Sequence, residues 1–120
     1  MSDNTAGYLL TETAETDFLD ARNWSLQRWG SDLTATYFAD LHKAAEYVAA
    51  NHKSLAGKDH LTGTTGLGVY AAREHYLIYM PLNDRRIAIV ALIRQGRDVP
   101  TILKNNSYAI RKEVEQLQRR

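Results

Sequence analysis

The sequence predicts an α+β domain: a helical hairpin packed on a small antiparallel sheet, in the order β-α-α-β-β-β with a C-terminal helix. Three observations carry this reading. Two consecutive segments before His52 repeat apolar residues at helical spacing and are separated by a single glycine. Three apolar, β-branched and aromatic runs then follow one another between Val69 and Ile93 with turn-length connections, so they should pair antiparallel. The hairpin must cover one face of that sheet to bury its stripes. A length of 120 residues fits one such domain.

Tyr8 to Thr11 is a short strand candidate. Thr11 or Thr13 can cap the first helix, with Glu12 and Glu15 suited to its positive end. Ala14, Phe18, Ala21 and Trp24 or Ser25 form its apolar stripe, and it runs to Trp29. Gly30 breaks it, and Ser31 or Asp32 is expected to cap the second helix, with a stripe of Leu33, Tyr37, Leu41, Ala44 or Ala45, and Val48. Asn51 and His52 end that helix. Lys53 to Gly68 contains Gly57, Gly63, Gly66 and Gly68 with three threonines and reads as a connecting loop.

Val69 to Arg73 and His75 to Pro81 are strand candidates, and Asn83-Asp84 is a turn signal. Arg86 to Ile93, RIAIVALI, is apolar throughout and should be a central strand buried on both faces. Asp98 and Pro100 suit a helix start. Asn105, Asn106 and Ser107 interrupt or restart the helix, and Ile110, Val114 and Leu117 form a stripe at i, i+4, i+7.

Composition excludes several classes. The chain has no cysteine, so thiolate metal sites, disulfides and cysteine nucleophiles are absent. No apolar run approaches the roughly 20 residues of a membrane span, and the N-terminus lacks the pattern of a signal peptide. A cytoplasmic protein is expected. His42, His52, His60 and His75 show no metal-ligand spacing, so no metal or cofactor is expected; His42 is expected to face solvent. No Walker loop, dinucleotide fingerprint or nucleophile elbow is present.

Net charge is only +1, but it is unevenly spread. Residues 1–50 hold eight acids against Arg22, Arg28 and Lys43. Residues 85–120 hold nine bases against Asp98, Glu113 and Glu115. That asymmetry suggests a basic surface for an anionic partner. The chemistry-bearing constellation is Arg73, His75, Tyr76 and Tyr79, with Arg94 and Arg97 leaving the last strand and Lys104 following. Basic groups interleaved with rings suit a phosphate backbone or, through bidentate bonds, an acidic protein surface.

These residues also resemble a known family. LTETAETDFLDARNWSLQRWGSDLTATYFADL looks like the N-terminal half of ParE toxins in the RelE/ParE superfamily. The matching features are Ala14, Asp17 and Phe18 on the first helix, the Trp29-Gly30 pair at its end, and Tyr37 with Leu41 on the second. HYLIYM resembles the family's aromatic strand, and ALIRQGRDVP its strand exit. Met80 and Gln95 depart from that pattern. The resemblance spans Tyr8 to Leu103, which places a toxin domain at 1–104 and a C-terminal helical extension at 105–120.

The resemblance implies the toxin of a type II toxin–antitoxin pair that inhibits DNA gyrase by binding, with no covalent chemistry of its own. It also implies neutralisation, in a hetero-oligomer, by a cognate antitoxin with a ribbon-helix-helix DNA-binding half. Target binding falls on Arg73, Tyr79, Arg94 and Arg97, and antitoxin binding on Trp29, Tyr37 and Leu41. The competing implication is a metal-independent, ribosome-dependent messenger RNA endoribonuclease of the RelE kind, with His75 and Arg97 as catalytic candidates. Val69 and Ala71 stand where that kind carries lysines, which weighs against it. A non-toxic binding module of the same fold is the third possibility.

Overall fold

Thr11 opens the first helix. In the computed structural model, which describes residues 7–55, 59–62, 65–83 and 85–119, its hydroxyl accepts from the Ala14 backbone N–H at 3.1 Å. That bond satisfies one of the free donors of helix α1 (Glu12–Trp29), and Glu12 and Glu15 lie in the first turn. Gly30 ends α1 with φ of 85°, a conformation that favours glycine. It also stands as N-cap of α2 (Ser31–Asn51), so neither Ser31 nor Asp32 caps that helix as expected. The buried face of α2 is Thr34, Tyr37, Leu41, Ala45, Val48 and Ala49. Leu33, expected in that stripe, is 57% exposed and Thr34 takes its place.

The stretch read as a loop holds a 3-10 turn (His52–Ser54) and a short helix α3 (Asp59–Thr62). Gly57 and Gly63 lie outside the described residues, as does Asp84 of the turn signal. Gly68 is not a loop glycine: it begins strand β2 (Gly68–Ala72) and pairs with Tyr79. A Cβ at Gly68 would lie 2.3 Å from the Tyr79 ring, so the missing side chain is what admits that ring.

Strands β3 (His75–Asn83) and β4 (Arg86–Arg94) complete an antiparallel trio with β2. Strand β1 (Gly7–Leu10) joins on the other side of β4, and it runs parallel to it. The sheet is therefore mixed, in the order β1-β4-β3-β2. The parallel pair arises because α1 and α2 intervene as a crossover between β1 and the trio. β4 is buried at every position from Ile87 to Ile93, as its apolar run predicts.

Two hydrophobic cores lie on opposite faces of this sheet. α1 and α2 cover one, through Phe18, Tyr37, Leu41, Val48, Leu77, Tyr79, Ile87 and Ile89. The other is covered by α4 (Val99–Asn105) and α5 (Ser107–Gln118). There Ile110, Val114 and Leu117 join Val69, Ile78, Ala88, Val90, Val99 and Leu103. The α5 stripe thus packs on this chain. Glu113 fastens the helix to the start of α1, accepting from the Thr13 backbone N–H at 3.0 Å and from its hydroxyl at 2.8 Å. Asp98 caps α4 through Thr101. No described helix is long and apolar enough to cross a membrane.

Candidate functional site

Trp24 and Trp29 on α1, Tyr37 on α2 and His75 at the start of β3 form one aromatic cluster. The ring centroids are 5.2 Å apart for Trp24–Trp29 and Trp29–Tyr37, 5.4 Å for Trp24–His75 and 5.7 Å for Tyr37–His75. Three guanidiniums sit on these rings. Arg28 and Arg94 lie over Trp24, at 5.0 and 5.4 Å from its centroid, and Arg73 lies over Tyr37 at 5.1 Å. Arg28 and Trp24 meet because they are four residues apart on one helix face. Cation–π stacking orients a planar guanidinium while leaving its N–H edge free for an anion.

Beside this cluster opens a cleft of about 370 Å³. Asp17, Asp20 and Trp24 from α1 line it together with His75, Arg94 and Arg97. The structure therefore brings His75, Arg94 and Arg97 together, as candidate residues should be. Arg28, Arg94 and Arg97 form no ion pair among the described residues. Arg73 is engaged: it bonds Asp40 and takes a left-handed φ of 59° at the β2–β3 turn, outside the strand expected to end on it. Gln95 holds that turn by donating to the backbone oxygens of Arg73 (2.9 Å) and His75 (3.1 Å). This departure from the resembled pattern thus has a structural role.

Several expected site residues lie elsewhere. Tyr79 is 4% exposed and belongs to the hairpin-side core, so it offers no surface to a target. Tyr37 and Leu41 are 1% and 0% exposed, so of the expected antitoxin contacts only Trp29 is accessible. Tyr76 packs against the opposite core from Tyr79, because successive strand side chains alternate faces. Lys104 does not line the cleft. His42 does not face solvent freely: it is bonded to the Tyr8 hydroxyl and stacked near Phe18 and Phe38. Sequence reasoning placed Trp24 only in the apolar stripe of α1, where Ser25 is the buried residue, and did not single out Arg28, although their i, i+4 spacing was available.

His75 is 5% exposed. Burial, and then the nearby Arg94 charge, push its pKa down to about 4, so the imidazole is neutral near pH 7. The Tyr37 hydroxyl accepts from the Glu74 N–H at 3.1 Å and is also hydrogen-bonded to His75 Nδ1. Asp17 behaves oppositely. Burial raises its pKa to about 6, with Asp20 and Glu113 adding to the rise and the Leu92 N–H, donated at 3.0 Å, resisting it. Among the described residues no cluster of His, Asp or Glu could hold a metal ion.

Comparison with known proteins decides the family. The model of the ParE toxin of the type II toxin–antitoxin system parDE matches residues 8–99. The chain belongs to the ParE toxin family. A solved structure titled as the chromosomal ParDE toxin–antitoxin system from P. aeruginosa shares this fold, with a TM-score of 0.63 at 12% identity, covering 77% of this chain and 98% of that one. No curated protein matches significantly. This ParE-family chain carries α5 beyond the matched residues, and every arginine of the aromatic cluster within them.

Proposed function

We propose that this ParE-family toxin inhibits DNA gyrase by binding, through the arginine-bearing aromatic cluster, and performs no covalent chemistry. The observation that carries this reading is a set of guanidiniums without an ion pair among the described residues, Arg94 and Arg97 on the cleft with His75 and Arg28 over the neighbouring Trp24, beside a histidine that is neutral and nearly inaccessible. Metal-free RNA cleavage needs a proton donor for the leaving oxygen as well as a base. A neutral His75 that gives up its proton at about pH 4 is a poor donor near pH 7. The same cations suit an anionic surface held without reaction.

The protein works in the cytoplasm and is neutralised by a cognate antitoxin in a hetero-oligomer. The antitoxin's second half is a ribbon-helix-helix DNA-binding module, and its disordered tail folds on the toxin. Of the contacts the family resemblance suggested, Trp29 is the one that such a tail can reach. The endoribonuclease reading keeps one observation in its favour, since His75 and Arg97 line the same cleft.

Purified protein titrated into a gyrase supercoiling reaction, beside a cell-free translation reaction, separates the two. Lost supercoiling with linear DNA accumulating and translation intact is expected. Intact supercoiling with halted translation would make the protein a ribonuclease, and neither effect would make it a non-toxic module. Arg97→Ala should cut inhibition roughly tenfold to a hundredfold, on the scale of a lost charge-assisted bond, with the thermal transition unchanged. Full potency in that variant would remove Arg97 from the mechanism.

A further inference from the structure

We propose that the cleft and the aromatic cluster beside it bind an unpaired strand of nucleic acid, with phosphates on Arg94 and Arg97 in the cleft and on Arg28 in the cluster, a base stacked on Trp29, and base amino groups turned to Asp17 and Asp20. This inference rests on the gyrase reading only for the identity of the strand as DNA. Its grounds are four features of the site.

The guanidiniums of Arg28 and Arg94 flank one indole, within 5.4 Å of its centroid, so two phosphate-binding forks are held in place before any ligand arrives. Arg97 adds a second cation on the cleft, and it forms no ion pair among the described residues. Trp29 is only partly buried, and no cation lies over its ring. A ring in that state offers a stacking face to a base, which an acidic polypeptide cannot exploit. Duplex bases are already stacked, so the arrangement selects an unpaired strand.

The carboxylates decide between partners. Asp17 and Asp20 line the same cleft as the arginines. They repel an acidic protein segment along its whole length. Against a nucleotide they act differently, because the amino groups of cytosine and adenine donate to carboxylates, while the single donor of an unpaired thymine, N3–H, is flanked by two carbonyl oxygens that repel a carboxylate. A cleft lined by both cations and carboxylates, with a partly exposed ring beside it, matches a nucleotide better than a row of carboxylates.

Both tryptophans of the chain belong to this cluster, so intrinsic emission reports on the site directly. The experiment titrates the full chain with oligodeoxycytidylate and oligodeoxythymidylate of about 12 nucleotides, the scale of one single-strand site, at slightly alkaline pH. A polyglutamate of similar charge is the third probe. Oligodeoxycytidylate should quench the emission and bind about tenfold more tightly than oligodeoxythymidylate. Its log affinity should fall with log salt at a slope of about −2, for three phosphates at roughly 0.7 each.

Anisotropy of a labelled oligonucleotide then reads the variants. Asp20→Asn should remove the preference for cytosine. Trp29→Leu should weaken binding about tenfold at an unchanged salt slope, whereas Arg94→Ala should make the slope shallower by about 0.7. Absence of quenching at low salt would overturn the proposal, as would equal affinity for the two oligonucleotides. Polyglutamate binding as tightly as the oligonucleotides would overturn it in favour of an acidic protein partner. A protein that inhibits gyrase but ignores both oligonucleotides defeats this inference and leaves the gyrase reading standing; binding without inhibition does the reverse.

Discussion

The two faces of the sheet are built from different chemistry. The face under α1 and α2 is aromatic and polar-tuned: Phe18, Tyr37 and Tyr79 pack there with His42 and His75, and buried hydroxyls bond the imidazoles. The face under α4 and α5 is aliphatic, built on Val69, Ile78, Val90, Val99, Leu103, Ile110 and Val114. Aliphatic packing is indifferent to pH and needs no partner for polar atoms. Aromatic packing with imidazoles stabilises only while each polar atom keeps its bond. The comparison teaches that both faces bury the sheet, while only the first also holds arginines over rings.

The strongest way to break this comparison is to remove the aliphatic cover. Ending the chain before Asn105 deletes Ile110, Val114 and Leu117, each worth about 1.5–3 kcal/mol of burial. The truncated chain should lose its cooperative transition in urea. A sharp, unshifted transition would make α5 dispensable.

Tyr37→Phe tests the aromatic face with a smaller change. The ring stays, but the Glu74 N–H and His75 Nδ1 both lose their partner. A cost of about 1–3 kcal/mol is expected in chemical denaturation, the penalty of an unsatisfied buried group. No loss would mean that water replaces the hydroxyl.

The pH response sharpens the contrast, because Asp17 and His75, two of the groups whose pKa is shifted, both touch the hairpin side. His75 has a folded pKa of about 4 against 6.5 for the free group, so the unfolded chain binds its proton first. Its contribution to stability is complete above pH 6.5 and is lost as pH falls toward 4. Asp17 has a folded pKa of about 6 against 3.8, so the folded chain binds its proton first, and stability rises as pH falls through the same window. The Asp17 and His75 contributions therefore oppose each other between pH 6.5 and 4, and His42, also lowered by burial, adds to the histidine side. Asp17→Asn should expose the histidine's acid destabilisation, and His75→Asn the carboxyl's opposite trend. Urea midpoints across that window measure both, and parallel profiles for the two variants would contradict the assignment.

The smallest effect concerns the tie between the faces. Glu113→Ala removes two bonds to Thr13 at the start of α1 and should cost about 1 kcal/mol. Faster hydrogen exchange confined to α5 is the expected signature; uniform exchange across the chain would mean that the tie carries nothing local.

Much of this architecture was legible in the sequence. The stripe of Ala14, Phe18 and Ala21, the apolar run of β4, and the restart at Ser107 follow from periodicity alone. The parallel placement of β1 was not, because four residues carry no signal for a partner so far along the chain. The site was half legible. Arg94 and Arg97 announce themselves by ending an apolar strand. Tyr76 and Tyr79 were grouped by closeness in sequence, which strand alternation separates. Tyr37 and Leu41 match the family's pattern because the fold needs them inside. Nothing in the sequence alone says that Trp24 collects arginines from both α1 and the end of β4.

The parallel pairing of β1 with β4 also sets a schedule. Gly7 is registered against Arg86, and Leu10 against Ile89. During synthesis the first strand and both long helices emerge well before the strand that joins them. At roughly 5–20 residues per second, the hairpin waits several seconds for its sheet. Arg94 and Arg97 appear later still, so Trp24 and Trp29 are in place on α1 for seconds before Arg94 can stack on Trp24.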